Sequence, residues 1–292
     1  MSRGDAAAET VAAAVGIAAT VSAMAISEHE INTWATWLRA SGRPETTVGL
    51  RTYHVRRVMA EIGTDPWSLG VEDLMTYLAG KAWSPETRRS YRASLRAFYA
   101  WAQATGRRTD SPAALLPPVK LPRRVPRPTP DEVYRAALEV ADERERLMLM
   151  LAAVCGLRRG EIAGLRREHV TPDLIGHSLV FGGKGGHERR VPLPEDLARR
   201  LLELPPGWVF PSTARPGPLT PAHVGKVVSR LLPEGWTCHT LRHRCATVAY
   251  RATRDLRAVQ ELLGHSKPET TALYTQVPDD AVRAAIAATS AA

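Results

Sequence analysis

Cysteine is scarce in this chain of 292 residues: Cys155, Cys238 and Cys245 form no C-x-x-C pair and no even-numbered set. Neither a disulfide scaffold nor a four-thiolate zinc site is therefore encoded, and a reducing, cytoplasmic setting is expected. A long apolar run is also missing. The nearest is Ala6 to Ala25, AAAETVAAAVGIAATVSAMA, whose alanines are too weakly apolar to span a membrane and which Glu9 interrupts. With Arg3 upstream it faintly resembles an export signal, yet it reads better as a frayed helical leader over 1–26. Acidic side chains are outnumbered, 30 against 39 Lys and Arg, leaving a net charge of +9. That balance points to polyanionic partners, nucleic acid ahead of membrane surfaces. The length and 44% hydrophobic content allow one large domain or two ordinary ones.

Ser27 followed by Glu30 has the form of a capping box, and Ile31, Trp34, Trp37 and Leu38 follow at helical spacing up to Gly42. Further helices are predicted near Glu45–Ile62, Val71–Leu78 and Thr87–Thr105, giving a four-helix unit without strands. From Ser111 to Pro130 the string SPAALLPPVKLPRRVPRPTP holds seven prolines and is predicted to be an extended linker. Thr129-Pro-Asp-Glu132 then reads as a second capping box opening a mainly helical domain. The exception is Ser178 to Leu193, SLVFGGKGGHERRVPL, two β-prone runs around a glycine-rich turn, which predicts a hairpin.

Between Lys81 and Arg127 there are eleven Lys or Arg against Glu86 and Asp110, a local excess equal to that of the whole chain. On the helix Arg88, Arg92 and Arg96 share one side, with Tyr91, Leu95, Phe98 and Ala102 on an adjoining one. A run of this kind is commonly a solvated face. Here it continues into the basic proline-rich segment, so Arg88, Arg89, Arg92, Arg96, Arg107, Arg108, Lys120, Arg123, Arg124 and Arg127 are candidate contacts to double-stranded DNA, with two domains closing on the duplex.

Four segments carry candidate chemistry: CGLRRGEIAGL around Arg158, GGKGGHERRVPL around Lys184, HTLRHR with His239 and Arg242, and LLGHSKPETTALYTQV with His265 and Tyr274. HTLRHRCATVAY alone admits three readings: a metal site, an ordinary basic helix, or one wall of a phosphate pocket. His239 and His243 stand four residues apart, a spacing that can place two rings on zinc. Against zinc, no carboxylate completes an H-E-x-x-H string and Arg242 lies between the histidines. The phosphate wall is preferred, and no metal or cofactor is expected.

In order and spacing, Arg158, Lys184, His239-x-x-Arg242, His265 and Tyr274 resemble the set found in tyrosine recombinases, the phage integrase and Xer family. The resemblance spans at least Arg158 to Val277 and, with the four-helix unit and basic segment, roughly Ser27 to the end. It implies a mainly α protein. An N-terminal four-helix, SAM-like core-binding domain would occupy 27–110, a basic proline-rich linker 111–128, and a mostly helical catalytic domain with a small β-hairpin sheet and a C-terminal tail 129–292.

The resemblance further implies a metal-independent DNA strand transferase. Arg158 and Arg242 would hold the scissile phosphate, since planar guanidiniums bind its oxygens bidentately. Lys184 would protonate the leaving 5′ oxygen, His239 would assist proton transfer, and His265 would donate a hydrogen bond to the phosphate. Tyr274 would be the nucleophile, forming a 3′-phosphotyrosyl bond. Glu161 would orient the cluster, although an i to i+3 surface pair explains it almost as well, and His243 would support it structurally. The implied partners are double-stranded DNA and three further copies of the chain, docked through 278–292, together with host or directionality factors, in a bacterial cell or phage-infected host and away from membranes. The alternatives are a monomeric type IB topoisomerase and a DNA-binding regulator without turnover. The 26 residues before Ser27 are too few for an arm-binding module, so the compact members are the better match. Ser290-Ala-Ala292 also looks like tails that ATP-dependent proteases recognise.

Overall fold

A computed structural model describes residues 28–122, 127–182 and 188–264. The leader, Ser27, Arg123, Arg124, Lys184, His265, Tyr274 and the segment 278–292 lie outside the described residues. The chain divides into two units, Met1–Arg123 and Arg124–Ala292.

The first unit is built from α1, helical throughout 28–40, with α2 (Glu45–Ile62), α3 (Val71–Ala79) and α4 (Pro85–Ala104). Local chemistry starts α4: the Ser84 hydroxyl accepts the Thr87 amide at 3.2 Å, and Pro85 supplies the fixed φ of a first helical residue. Its Tyr91, Leu95, Phe98 and Ala102 are buried as the spacing predicts. Phe98 meets Trp34 edge-on at 5.3 Å and stacks on Trp67 at 5.7 Å. On α1, Ile31, Trp34 and Leu38 enter this core, whereas Trp37 is 45% exposed. The inward stripe follows 31, 34 and 38, and Trp37 falls at its margin.

The proline-rich segment is not extended throughout. Pro112–Leu115 forms a 3-10 turn, and Ala113 and Leu116 are buried in the first unit's core. Arg96 donates to the Ala114 carbonyl at 2.7 Å and Arg92 to the Leu116 carbonyl at 2.7 and 3.1 Å, so two cations of α4 fasten this turn.

The second unit holds α5 (Asp131–Val140), α6 (Glu143–Ala153), α7 (Arg159–Ala163), α8 (Glu195–Leu202), α9 (Pro221–Leu231), α10 (Cys238–Thr253) and α11 (Leu256–Leu263). The capping box expected at Thr129 does not form. Thr129 is buried, its hydroxyl donates to Thr240 Oγ1 at 2.8 Å and its amide to the Thr240 carbonyl at 3.1 Å, leaving Pro130 at the helix start. Helix α6 buries Leu147, Met148, Leu149, Leu151, Ala152 and Ala153 on several sides and is the central element, with α10 packed on it. The expected hairpin is present as β2 (His177–Gly182) and β3 (Glu188–Leu193), with Leu179 opposite Val191. A third antiparallel strand, β1 (Val170–Pro172), joins β2 and is three residues long, too short to carry an alternation signal.

Candidate active site

Arg158 is delivered by the close of α6. Gly156 adopts the left-handed conformation (φ +62°), the Leu157 amide returns to the Leu151 carbonyl at 3.0 Å, and Leu157 is buried. Arg158 consequently emerges exposed, as the cap of α7. A Cβ at Gly156 would lie 2.8 Å from Leu263 Cδ2 and 3.1 Å from Cys245 Sγ, so both the backbone angle and the close packing require glycine.

Arg242 stands one turn beyond the start of α10 and is only 2% exposed. Its guanidinium donates to the Gly156 carbonyl and, at 2.5 Å, to the Leu263 carbonyl. The turn that positions Arg158 and the end of α11 therefore also position Arg242.

Glu161 gathers the cluster. One carboxylate oxygen accepts the Arg158 amide at 2.7 Å; the other accepts Arg158 Nη1 at 2.9 Å and Arg189 Nη1 at 2.8 Å, and Arg242 Nη1 lies 3.9 Å away. Burial pushes this carboxyl up, but the Arg158 amide and the charges of Arg189 and Arg158 outweigh it and hold it below the ordinary glutamate value. Glu161 is thus an organising group shared among arginines, beyond the surface pair its spacing also allowed.

Arg189 was not among the residues the sequence singled out. It donates to the Leu262 carbonyl at 2.6 and 3.2 Å besides reaching Glu161, tying β3 to α7 and to the end of α11. A signal was available: 189 shares with buried Val191 the inward parity of β3, while 188, 190 and 192 are exposed.

His239 is exposed on the first turn of α10, its amide bonded to Thr237 Oγ1 at 3.2 Å. Half-buried His243 meets it edge to face, ring centres 4.4 Å apart. Arg158, His239 and Arg242 line one cleft of about 630 Å³. Three of the six expected catalytic residues are therefore brought together; Lys184, His265 and Tyr274 are outside the described residues. Burial pushes the Cys155 thiol up to about 12 and those of Cys238 and Cys245 to about 11, so these neighbours stay neutral at pH 7 and do not act as thiolates.

The candidate DNA contacts of the first unit separate into two kinds. Arg88 reaches the Lys81 carbonyl at 2.9 Å, Arg107 pairs with Glu30 at 2.5 Å over the Trp101 ring, and Arg108 pairs with Asp110 at 2.8 Å while holding the Trp67 and Leu69 carbonyls. With Arg92 and Arg96 these have structural tasks. Arg89 and Lys120 are exposed, as is Arg127 in the second unit, which lies over the Trp236 ring at 4.8 Å. Among the described residues no helix is long and apolar enough to cross a membrane.

The sequence profile of the phage integrase family matches residues 129–280. The tyrosine recombinase XerA of Thermococcus kodakarensis is 32% identical over 269 residues, 87% of this chain and 93% of that protein. XerD of Caulobacter vibrioides is 32% identical over 270 residues, 82% of this chain and 88% of its own. Among solved structures, a lambda integrase tetramer bound to a Holliday junction superposes with a TM-score of 0.68 over 85% of this chain and 76% of that one, at 20% identity, a likeness of fold. The chain belongs to the phage integrase family of tyrosine recombinases, DNA-binding enzymes of DNA recombination that cut and rejoin strands.

Proposed function

We propose that this chain is a site-specific recombinase that exchanges strands between two synapsed DNA sites through a 3′-phosphotyrosyl intermediate. The observation that carries the reading is the cleft in which Arg158, His239 and Arg242, drawn from distant segments, share one wall. Cleavage of a phosphodiester concentrates negative charge on the nonbridging oxygens of a five-coordinate phosphorus, and prepositioned guanidiniums stabilise that charge without reorganising. Arg158 and Arg242 take this role, with no metal needed to supply positive charge. The Tyr274 oxygen attacks phosphorus as its phenolic proton is lost with the help of His239; the bond to the 5′ oxygen breaks, and Lys184 delivers the proton that oxygen needs. His265 donates to a phosphate oxygen. The phosphodiester energy remains in the new bond, so attack by a 5′ hydroxyl of another strand restores DNA and the free phenol without ATP.

Exchange between two duplexes requires four tyrosines and hence four copies of the chain, which we assign to docking through 278–292. Removing those residues is expected to abolish synapsis while single-site binding persists, as read by gel shift. Sequencing the DNA trapped covalently on the protein tests the reading as a whole. A single recurring sequence with a fixed cut position is expected. Adducts scattered without preference, together with relaxation of any supercoiled plasmid, would replace it with a type IB topoisomerase.

A further inference from the structure

Two cations border the same cleft without a place in that chemistry. Arg159 opens α7 directly after Arg158, and Lys226 lies on α9. Among the described residues neither makes an ion pair. Several other cations of the unit are paired: Arg166 with Glu168 at 3.1 Å, Arg200 with Glu143 at 2.7 Å, and Arg230, on the same helix as Lys226, with Glu145. Unpaired cations on a convex surface are ordinary, but two that converge on a concave, already basic cleft raise the potential for an anion there.

The geometry of α9 fits an extended ligand. Ala222, Gly225, Lys226 and Ser229 follow helical spacing along the face lining the cleft, while Val224 and Val228 are buried on the other. Small side chains around one lysine leave room for a backbone to lie along the helix. A Cβ at Gly225 would stand 3.6 Å from Arg159 Nη1, so that guanidinium lies against the bare helix surface. The cleft volume of about 630 Å³ is in the range of roughly 300–1,000 Å³ that holds a drug-sized ligand, much more than one phosphate group. A DNA strand presents a charge every ~3.4 Å of rise, so the next anion is always close at hand.

We propose that Arg159 and Lys226, with the Ser229 hydroxyl, form a second anion subsite that holds a phosphate adjoining the scissile one on the same strand, and so fixes which linkage Arg158 and Arg242 receive. This rests on the recombinase reading above. An ammonium and a guanidinium engage backbone charge irrespective of base, so the subsite positions the strand without reading its sequence.

The test uses the full chain and duplexes nicked to trap the covalent adduct, each carrying one neutral methylphosphonate at the first or second phosphate on either side of the cut. At one of these positions the substitution is expected to slow adduct formation by wild type about tenfold, the size of one charge-assisted hydrogen bond. Lys226→Ala is expected to be slow on every duplex and to respond less than wild type to that substitution, the Arg159→Ala/Lys226→Ala double variant to be indifferent to it, and Lys226→Arg to restore the response. Arg159→Ala and Lys226→Ala should each lower the slope of log affinity against log salt by about 1. Both side chains are exposed, and an unchanged melting temperature would show that folding is intact. Losses from variant and methylphosphonate that simply multiply at every position would overturn the subsite, as would a Lys226 dependence that follows base identity instead. No adduct on the unmodified duplex would overturn the recombinase reading itself, and the subsite with it.

Discussion

At Glu161 one carboxylate serves an amide and two guanidiniums, with a third 3.9 Å away. Its folded pKa lies below the ordinary value of 4.5, so the ionised form favours the fold. That contribution is complete above about pH 4.5 and is lost as pH falls through the lower folded value. Glu161→Gln should therefore cost about 1–3 kcal/mol in urea unfolding at neutral pH, with the deficit shrinking as pH falls below 4.5. A deficit that persisted undiminished in acid would show that Glu161 acts by shape and not by charge. The residues of this cluster were unequally legible in the sequence. Arg158, Glu161, His239 and Arg242 sit in recognisable strings, whereas Arg189 shares its string with Lys184 and Arg190, and only the strand's parity distinguishes it.

At the scale of elements, what the sequence disclosed was whatever local chemistry decides. The stripe on α4 and the left-handed Gly42 beyond the end of α1 are of this kind, whereas the Ser84 cap starts α4 at Pro85, ahead of the expected Thr87. The Thr129 cap failed because its hydroxyl is claimed by Thr240, 111 residues away, a competitor no local string reveals. The 3-10 turn at Pro112–Leu115 was hidden for a similar reason: prolines suggest an extended chain, and only packing of Ala113 and Leu116 folds it. Two glycines allow conformation to be separated from packing. Gly63 (φ +74°) ends α2 with nothing within 4 Å of a would-be Cβ, whereas Gly156 (φ +62°) is crowded by Leu263 and Cys245. Gly63→Ala should cost about 1 kcal/mol, the left-handed penalty alone, and Gly156→Ala about 2–4 kcal/mol because overpacking adds to it. Shifts of the urea midpoint at constant m measure both. Equal losses would mean that Leu263 and Cys245 yield freely, and that the hold of Gly156 on Arg158 and Arg242 is looser than the packing indicates.

For the whole molecule, the net positive charge was a guide to the partner but a poor guide to individual contacts. Arg88, Arg92, Arg96, Arg107 and Arg108 reach carbonyls or acids of their own unit. Charge counting treats these like Arg89, Lys120 and Arg127, because composition cannot tell a cation that fastens a turn from one that faces solvent. The proposed strand exchange depends most on Tyr274 as the nucleophile toward a phosphate held by Arg158 and Arg242, which with His239 line one cleft. The direct measurement is covalent trapping on a nicked duplex containing the cleavage site, comparing the parent chain with Tyr274→Phe. The parent should form an adduct whose DNA-linked peptide contains Tyr274, and the variant should bind the same duplex with unchanged affinity and form none. An adduct that survives in Tyr274→Phe, or a linked peptide from elsewhere in the chain, would contradict the account.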